Sequence, residues 1–153
     1  MTVSQRSDIV NLTIDSYFTG AFVGIGGWQT LALGSSTGWS LSSRIDLHVR
    51  IDNGLLNTPP VITSISYISI PLGICQTISI PIFDEDNDIV RCRFASGLSE
   101  CVNTCPPGSL PLGTTLTSSC TLTNTGKTIG DYYLVAIQVI CFVHFPLINF
   151  VFQ

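Results

Sequence analysis

The stretch Ile80-Pro81-Ile82-Phe83-Asp84-Glu85-Asp86-Asn87-Asp88-Ile89-Val90-Arg91-Cys92-Arg93 constrains this chain more than any other. It packs four of the 10 acidic residues into one five-residue turn, with an apolar, β-prone run on either side. Asp and Asn favour turns because their short side chains bond nearby backbone groups and tolerate left-handed conformations. The stretch therefore reads as a β-hairpin with a carboxylate cluster at its tip. It closes on a cysteine between two arginines, which points to a disulfide-bearing extracellular β-module rather than a cytosolic enzyme.

The rest of the chain agrees with an all-β reading. No window sustains an apolar stripe at i, i+3, i+4, i+7. Short β-branched or aromatic runs recur instead between Gly, Pro, Asn and Ser clusters. In the first half the expected strands are 9–14, 18–25, 28–33 and 40–51, broken by Gly24, Gly26 and Gly27, by the loop 34–38 and by the turn Asp52-Asn53-Gly54. In the second half they are 61–70, 74–83, 89–95, 114–122 and 132–142. The run Gln76-Thr77-Ile78-Ser79-Ile80 alternates with period two, as a half-buried strand does. Asn57-Thr58-Pro59-Pro60 is the best candidate boundary, because two prolines enforce an extended, unpaired backbone. The expected division is a β-rich N-terminal segment over 1–57, a module over 58–140 and an apolar tail over 141–153. About five strands in the module suggest an immunoglobulin- or cadherin-like β-sandwich. Such a sandwich takes about seven strands, so the one expected here is incomplete.

Cysteine placement points to the compartment. Cys75, Cys92, Cys101, Cys105, Cys120 and Cys141 all follow the proline pair. An even number in a β-rich segment with few charges favours disulfides. The pairing chosen is Cys101 with Cys105 and Cys92 with Cys120, leaving Cys75 and Cys141 paired or free. Zinc is disfavoured, since no second close ligand pair follows Cys101-x-x-x-Cys105. Asn11-Leu12-Thr13 is a glycosylation triplet, in keeping with a secreted protein. Residues 1–18 show no basic segment followed by an apolar one, so a secretory leader is not expected there, and the chain reads as a fragment of a longer secreted protein.

Charge narrows the partners. Only 10% of residues are charged, the net charge is −4, and Lys127 is the only lysine. Phosphate neutralisation needs clustered Lys and Arg, so nucleic acid is excluded as a partner, and anionic membrane surfaces are disfavoured for the same reason. A protein or glycan partner is the remaining expectation. Residues 132–152 raise a separate question, because they carry no formal charge with His144 neutral and are long enough to span a bilayer. Pro146, Asn149, Gln138 and the lack of a basic flank argue for a buried strand with a tail, and a transmembrane segment is the alternative.

Asp84, Asp86 and Asp88 are the candidate metal ligands. Carboxylates two residues apart in a loop can converge on calcium, the one cofactor considered. The EF-hand template fails, since Ile89 stands where it needs Gly and Ala95 where it needs Glu. A cadherin-like site would need ligands from another segment, such as Asp52 or Asn53, and the simpler reading is a turn. Arg91 and Arg93 lie on the face opposite Cys92 and read as surface ion-pair partners of the acidic turn or Glu100. His48 reads as an ordinary strand histidine, and His144 lies in the apolar tail. Trp28 and Trp39 read as packing residues, with sugar stacking as the alternative. No nucleophile-elbow or dinucleotide pattern is present, so no enzyme is expected, and a secreted hydrolase is the least favoured class.

A broader pattern joins these pieces. Gly38-Trp39-Ser40-Leu41, Asp52-Asn53-Gly54-Leu55-Leu56-Asn57-Thr58-Pro59-Pro60-Val61, Ile78-Ser79-Ile80-Pro81, the 84–93 segment, Glu100-Cys101, Cys105, Cys120-Thr121-Leu122 and Tyr133-Leu134-Val135-Ala136-Ile137-Gln138-Val139 resemble a family of invertebrate extracellular proteins. The resemblance spans roughly 17–139. It implies a secreted or cell-surface protein carrying an immunoglobulin- or cadherin-like module within a larger ectodomain, with no biochemical activity attached to the family.

Overall fold

The computed structural model describes residues 9–24, 30–34, 39–63, 67–142 and 148–152. The described chain is mostly β, with ten strands in small antiparallel sheets and one short helix. β1 (Tyr17–Gly24), β2 (Trp39–Asp46), β10 (Ile148–Phe152), β9 (Ile137–Phe142) and β6 (Ile89–Phe94) form a five-stranded sheet in the order β1-β2-β10-β9-β6. β4 (Cys75–Ser79), β8 (Thr121–Thr125) and β7 (Thr115–Leu116) form a three-stranded sheet in the order β4-β8-β7. β3 (Val61–Ile62) pairs with β5 (Ile82–Phe83). The helix, α1, is Leu98–Cys101.

The hairpin expected around the acidic turn is corrected. β5 pairs with β3, while β6 pairs with β9, so the turn is a crossover between two sheets. The expected strand 114–122 is likewise two strands. Thr117 to Cys120 turns the chain back, with Cys120 N–H donating to the Thr117 carbonyl (3.0 Å) and Cys120 at φ 61°. Residues 9–14 are not a strand, nor is the described part of 28–33. In β4, Gln76 and Ile78 are half-buried and Cys75, Thr77 and Ser79 exposed, the alternation that period two demands.

The core gathers where the sheets meet. Cys92 and Val139 of the larger sheet pack with Cys120, and Ile62, Ile80, Ile82, Val90 and Leu116 close around them. The Cys92–Cys120 disulfide runs through this cluster, and Cys92 N–H also donates to the Ser118 carbonyl (3.1 Å). A second cluster, Ala95, Cys101 and Ala136, lies beneath the loop closed by Cys101–Cys105.

β9 is covered on both faces. Ile137, Gln138, Val139 and Cys141 are all buried. A strand buried on both faces loses its alternation and reads as a continuous apolar run. The expected strand is present as β9, the alternative of a membrane helix over 132–152 is not, and the expected apolar tail over 141–153 is corrected: its described residues belong to β9 and β10, antiparallel neighbours with Ile148 opposite Cys141 and Phe152 opposite Ile137. Among the described residues, no helix is long and apolar enough to cross a membrane.

Candidate functional site

The acidic turn is organised from within by Asp84. This buried side chain accepts the backbone N–H groups of Asp86 and Asp88 at Oδ1, both at 3.1 Å. Asn87 N–H donates to the Asp84 carbonyl (3.3 Å), and Asn87 sits at φ 59° in the left-handed region that Asn tolerates. These bonds draw Asp86 and Asp88 round towards the chain that follows β2.

Arg50 meets them there. Its side chain is 6% exposed, and it donates from Nη1 to Asp88 Oδ2 (2.6 Å) and from Nη2 to Asp88 Oδ1 (2.9 Å), a bidentate pair. Nε and Nη2 donate to the two oxygens of Asp52 (2.9 and 2.7 Å), and Nη1 donates to Asn57 Oδ1 (2.9 Å). Asp86 Oδ2 lies 3.4 Å from Nη1 and accepts the Thr58 backbone N–H at 2.6 Å. The segment 50–58 is thus bonded at both ends, through Arg50 and Thr58, to the turn 84–88. The loop holding Arg50 closes on itself through Arg50 N–H to Leu55 O (2.8 Å) and Gly54 N–H to Arg50 O (3.0 Å).

Cys141 of β9 supplies the third side. It is 0% exposed, and its thiol donates to Asp84 Oδ2 and Asp88 Oδ2, both at 3.5 Å. Burial, reinforced by the charges of Asp84 and Asp88, pushes the Cys141 thiol well above its ordinary range. Hydrogen bonds from Arg50 lower the Asp52 carboxyl to about 2. Those same bonds to Asp52 and Asp88 raise the Arg50 guanidinium further above its already high value.

This arrangement bears directly on calcium. Ligand atoms of Asp84, Asp88 and Cys141 lie within 4.8 Å of one another. Calcium takes oxygen ligands, and a thiol is a poor third corner for it. A softer ion such as zinc accepts thiolate, but it would face the Arg50 guanidinium. Asp52 reaches the acidic turn through Arg50, which it shares with Asp88. Asn53 does not join it; its side chain accepts the Leu55 backbone N–H (2.9 Å).

The remaining candidates lie apart from this cluster. Arg93 forks onto Glu100 (2.8 and 2.9 Å), and Arg91 stacks over the Phe142 ring at 5.4 Å. Cys75 is an exposed free thiol on β4, at the edge of its sheet. Asn11 is exposed on a segment without regular structure before β1. His48 contacts Asp46 through Nδ1 and through its backbone N–H, capping the end of β2. Burial opposes ionisation of Asp46, yet these two bonds together with the charges of His48 and Arg44 outweigh it and lower its pKa. Trp28 and His144 lie outside the described residues, as does the side chain of Trp39.

Sequence reasoning missed Arg50, Asn57 and Cys141 as partners of the acidic turn. The available signal was the isolated Arg50-x-Asp52 pair in a chain where charges are scarce. The chain matches no family model, no curated protein and no solved structure.

Proposed function

We propose that this chain is an extracellular β-module with a structural or recognition role in a larger ectodomain, acting through a protein or glycan partner rather than by catalysis. In this reading the five- and three-stranded sheets are the halves of an immunoglobulin- or cadherin-like sandwich, as the resemblance of 17–139 implies. The Cys92–Cys120 bridge is the observation that carries it, because it sits in the shared core. Together with Cys101–Cys105 it points to an oxidising compartment, where disulfides form and persist.

The acidic turn then serves as a clamp closed by a tethered cation. In this reading Arg50 takes the place of a metal ion among the acidic side chains, joining 50–58 to 84–88 through its bonds to Asp88. The test is thermal unfolding of the chain secreted into an oxidising compartment, with and without millimolar calcium, before and after reduction. The expected outcome is a folded protein with two free thiols, a melting temperature that calcium leaves unchanged, and a marked loss of stability on reduction. Full stability after reduction refutes the disulfide-stapled module. A rise in melting temperature with calcium, abolished in Asp86→Ala, refutes the clamp in favour of a calcium site.

A further inference from the structure

We propose that Asn11 is an N-glycan acceptor. This inference rests on the secretory reading above. Asn11-Leu12-Thr13 is the only Asn-x-Ser/Thr triplet with a tolerated third position and context among the chain's asparagines. Asn57-Thr58-Pro59 lacks the hydroxyl at its third position, and the Asn57 amide oxygen is held by Arg50. Asn103-Thr104-Cys105 ends on a cysteine committed to a disulfide. Asn124 is 5% exposed, and its triplet ends on Gly126.

A triplet alone is weak evidence, since such patterns arise by chance. The fold supplies an independent reason. Residues 9–13 are exposed and belong to no strand, so the acceptor amide and the threonine can be presented together to a transferase. The chain enters the sheet only beyond them, where Asp15 N–H donates to Leu47 O (3.1 Å) and Leu47 N–H donates to Ser16 O (2.8 Å). Asn11 therefore precedes β1, the outermost strand of the five-stranded sheet, and its exposed side chain leaves room for a glycan. Its neighbours Ile9 (97% exposed) and Val10 (64%) are apolar and open to water, the kind of surface a bulky hydrophilic glycan shields.

The chemistry is a group transfer. The Asn11 amide nitrogen attacks the anomeric carbon of an oligosaccharide carried on a lipid pyrophosphate. A C–N bond forms, the C–O bond to the pyrophosphate breaks, the amide gives up one proton, and the lipid pyrophosphate leaves. Thr13 is the residue the transferase reads.

The test is expression of the full chain behind a secretory leader in eukaryotic cells, with intact mass measured before and after enzymatic removal of N-glycans. Leu112→Asn serves as the internal control, because Leu112 is 95% exposed and the change creates an Asn-Gly-Thr triplet. The expected result is one glycan on the parent chain, lost in Asn11→Gln and Thr13→Ala, kept in Thr13→Ser, and joined by a second in Leu112→Asn. A glycan at position 112 with none at Asn11 overturns the proposal. Free-thiol count on the same secreted sample scores the compartment reading separately.

Discussion

Replacing Arg50 with alanine is the sharpest perturbation the structure offers. The Arg50 side chain is 6% exposed and that of its bidentate partner Asp88 10% exposed. Asp86, 3.4 Å away, is 15% exposed. Removing one partner of a buried, hydrogen-bonded pair leaves the other charge without compensation, which costs about 3–5 kcal/mol. Asp52, 47% exposed, is rehydrated by solvent and adds little. For a chain of this length each kcal/mol moves the melting temperature by about 2–4 °C. Arg50→Ala should therefore melt roughly 6–20 °C below the parent, measured by circular dichroism with urea unfolding as a second axis. Arg50→Lys keeps the charge and loses the fork, so it should recover only part of that loss. Combining Arg50→Ala with Asp88→Asn removes the stranded charge. The double variant should be more stable than the sum of the single effects requires, by about 1–3 kcal/mol. A cost under about 1 kcal/mol for Arg50→Ala, or strict additivity in the double variant, would refute the clamp.

Three other outcomes follow from the same geometry. A thiol reagent should titrate one cysteine rapidly in the native protein, the exposed Cys75, and a second only on unfolding, the buried Cys141; two fast thiols would contradict the burial of Cys141. Replacing Cys92 and Cys120 by alanine opens a loop of sequence separation 28 and should cost about 3.6 kcal/mol by loop entropy, against about 2 kcal/mol for Cys101 and Cys105 at separation 4; urea unfolding that ranks them in reverse would refute this ordering. The pH profile should fall at both ends. Asp52 has a depressed folded pKa, so its contribution is full above the unfolded value near 4 and is lost as pH drops towards about 2. Cys141 has a raised folded pKa, so its contribution is full below the ordinary thiol value of 9.0 and is lost as pH rises beyond it; Cys141→Ala should flatten that alkaline limb in pH-dependent melting.

The β class was legible because it depends on local rules. The alternation in Gln76–Ile80 and the turn chemistry of Asp84–Asp88 survive in the structure as β4 and an Asp84-centred turn. Strand pairing was not legible at the acidic turn. Neighbouring apolar runs on either side of a turn suggest a hairpin, yet the carbonyl of Pro81 accepts Thr63 N–H (3.1 Å) as β5 turns to β3, and β6 is drawn to β9. Nothing between residues 80 and 93 encodes that choice, because the partners lie about twenty and fifty residues away. The C-terminal run left a membrane helix open as an alternative for a different reason. A central strand covered on both faces carries the same continuous apolar signal as a membrane helix, and periodicity does not separate them. Gln138 was the local hint: it is 1% exposed in β9 opposite Arg93 of β6, a polar residue placed in a sheet interior.

The choice of cation explains why the acidic turn can be a fixed part of this fold. Three carboxylates, Asp52, Asp86 and Asp88, surround one guanidinium with Asp84 close behind, so the cluster keeps excess negative charge even with Arg50 in place. Two devices limit that repulsion. Asp84 accepts two backbone N–H groups at one oxygen and a neutral thiol at the other. Asp86 accepts the Thr58 N–H just before the proline pair, at the last backbone donor that Pro59 and Pro60 leave available on that side. The prolines therefore do more than interrupt pairing: they hold 57–60 extended so that Asn57 and Thr58 present an acceptor and a donor to the same network. A calcium ion could bring these carboxylates together only while calcium is bound, and its grip would follow the ion's concentration. A guanidinium carried on residue 50 binds at a fixed effective concentration, so the connection between the strand-β2 half of the chain and the crossover at 84–88 is set when the chain folds.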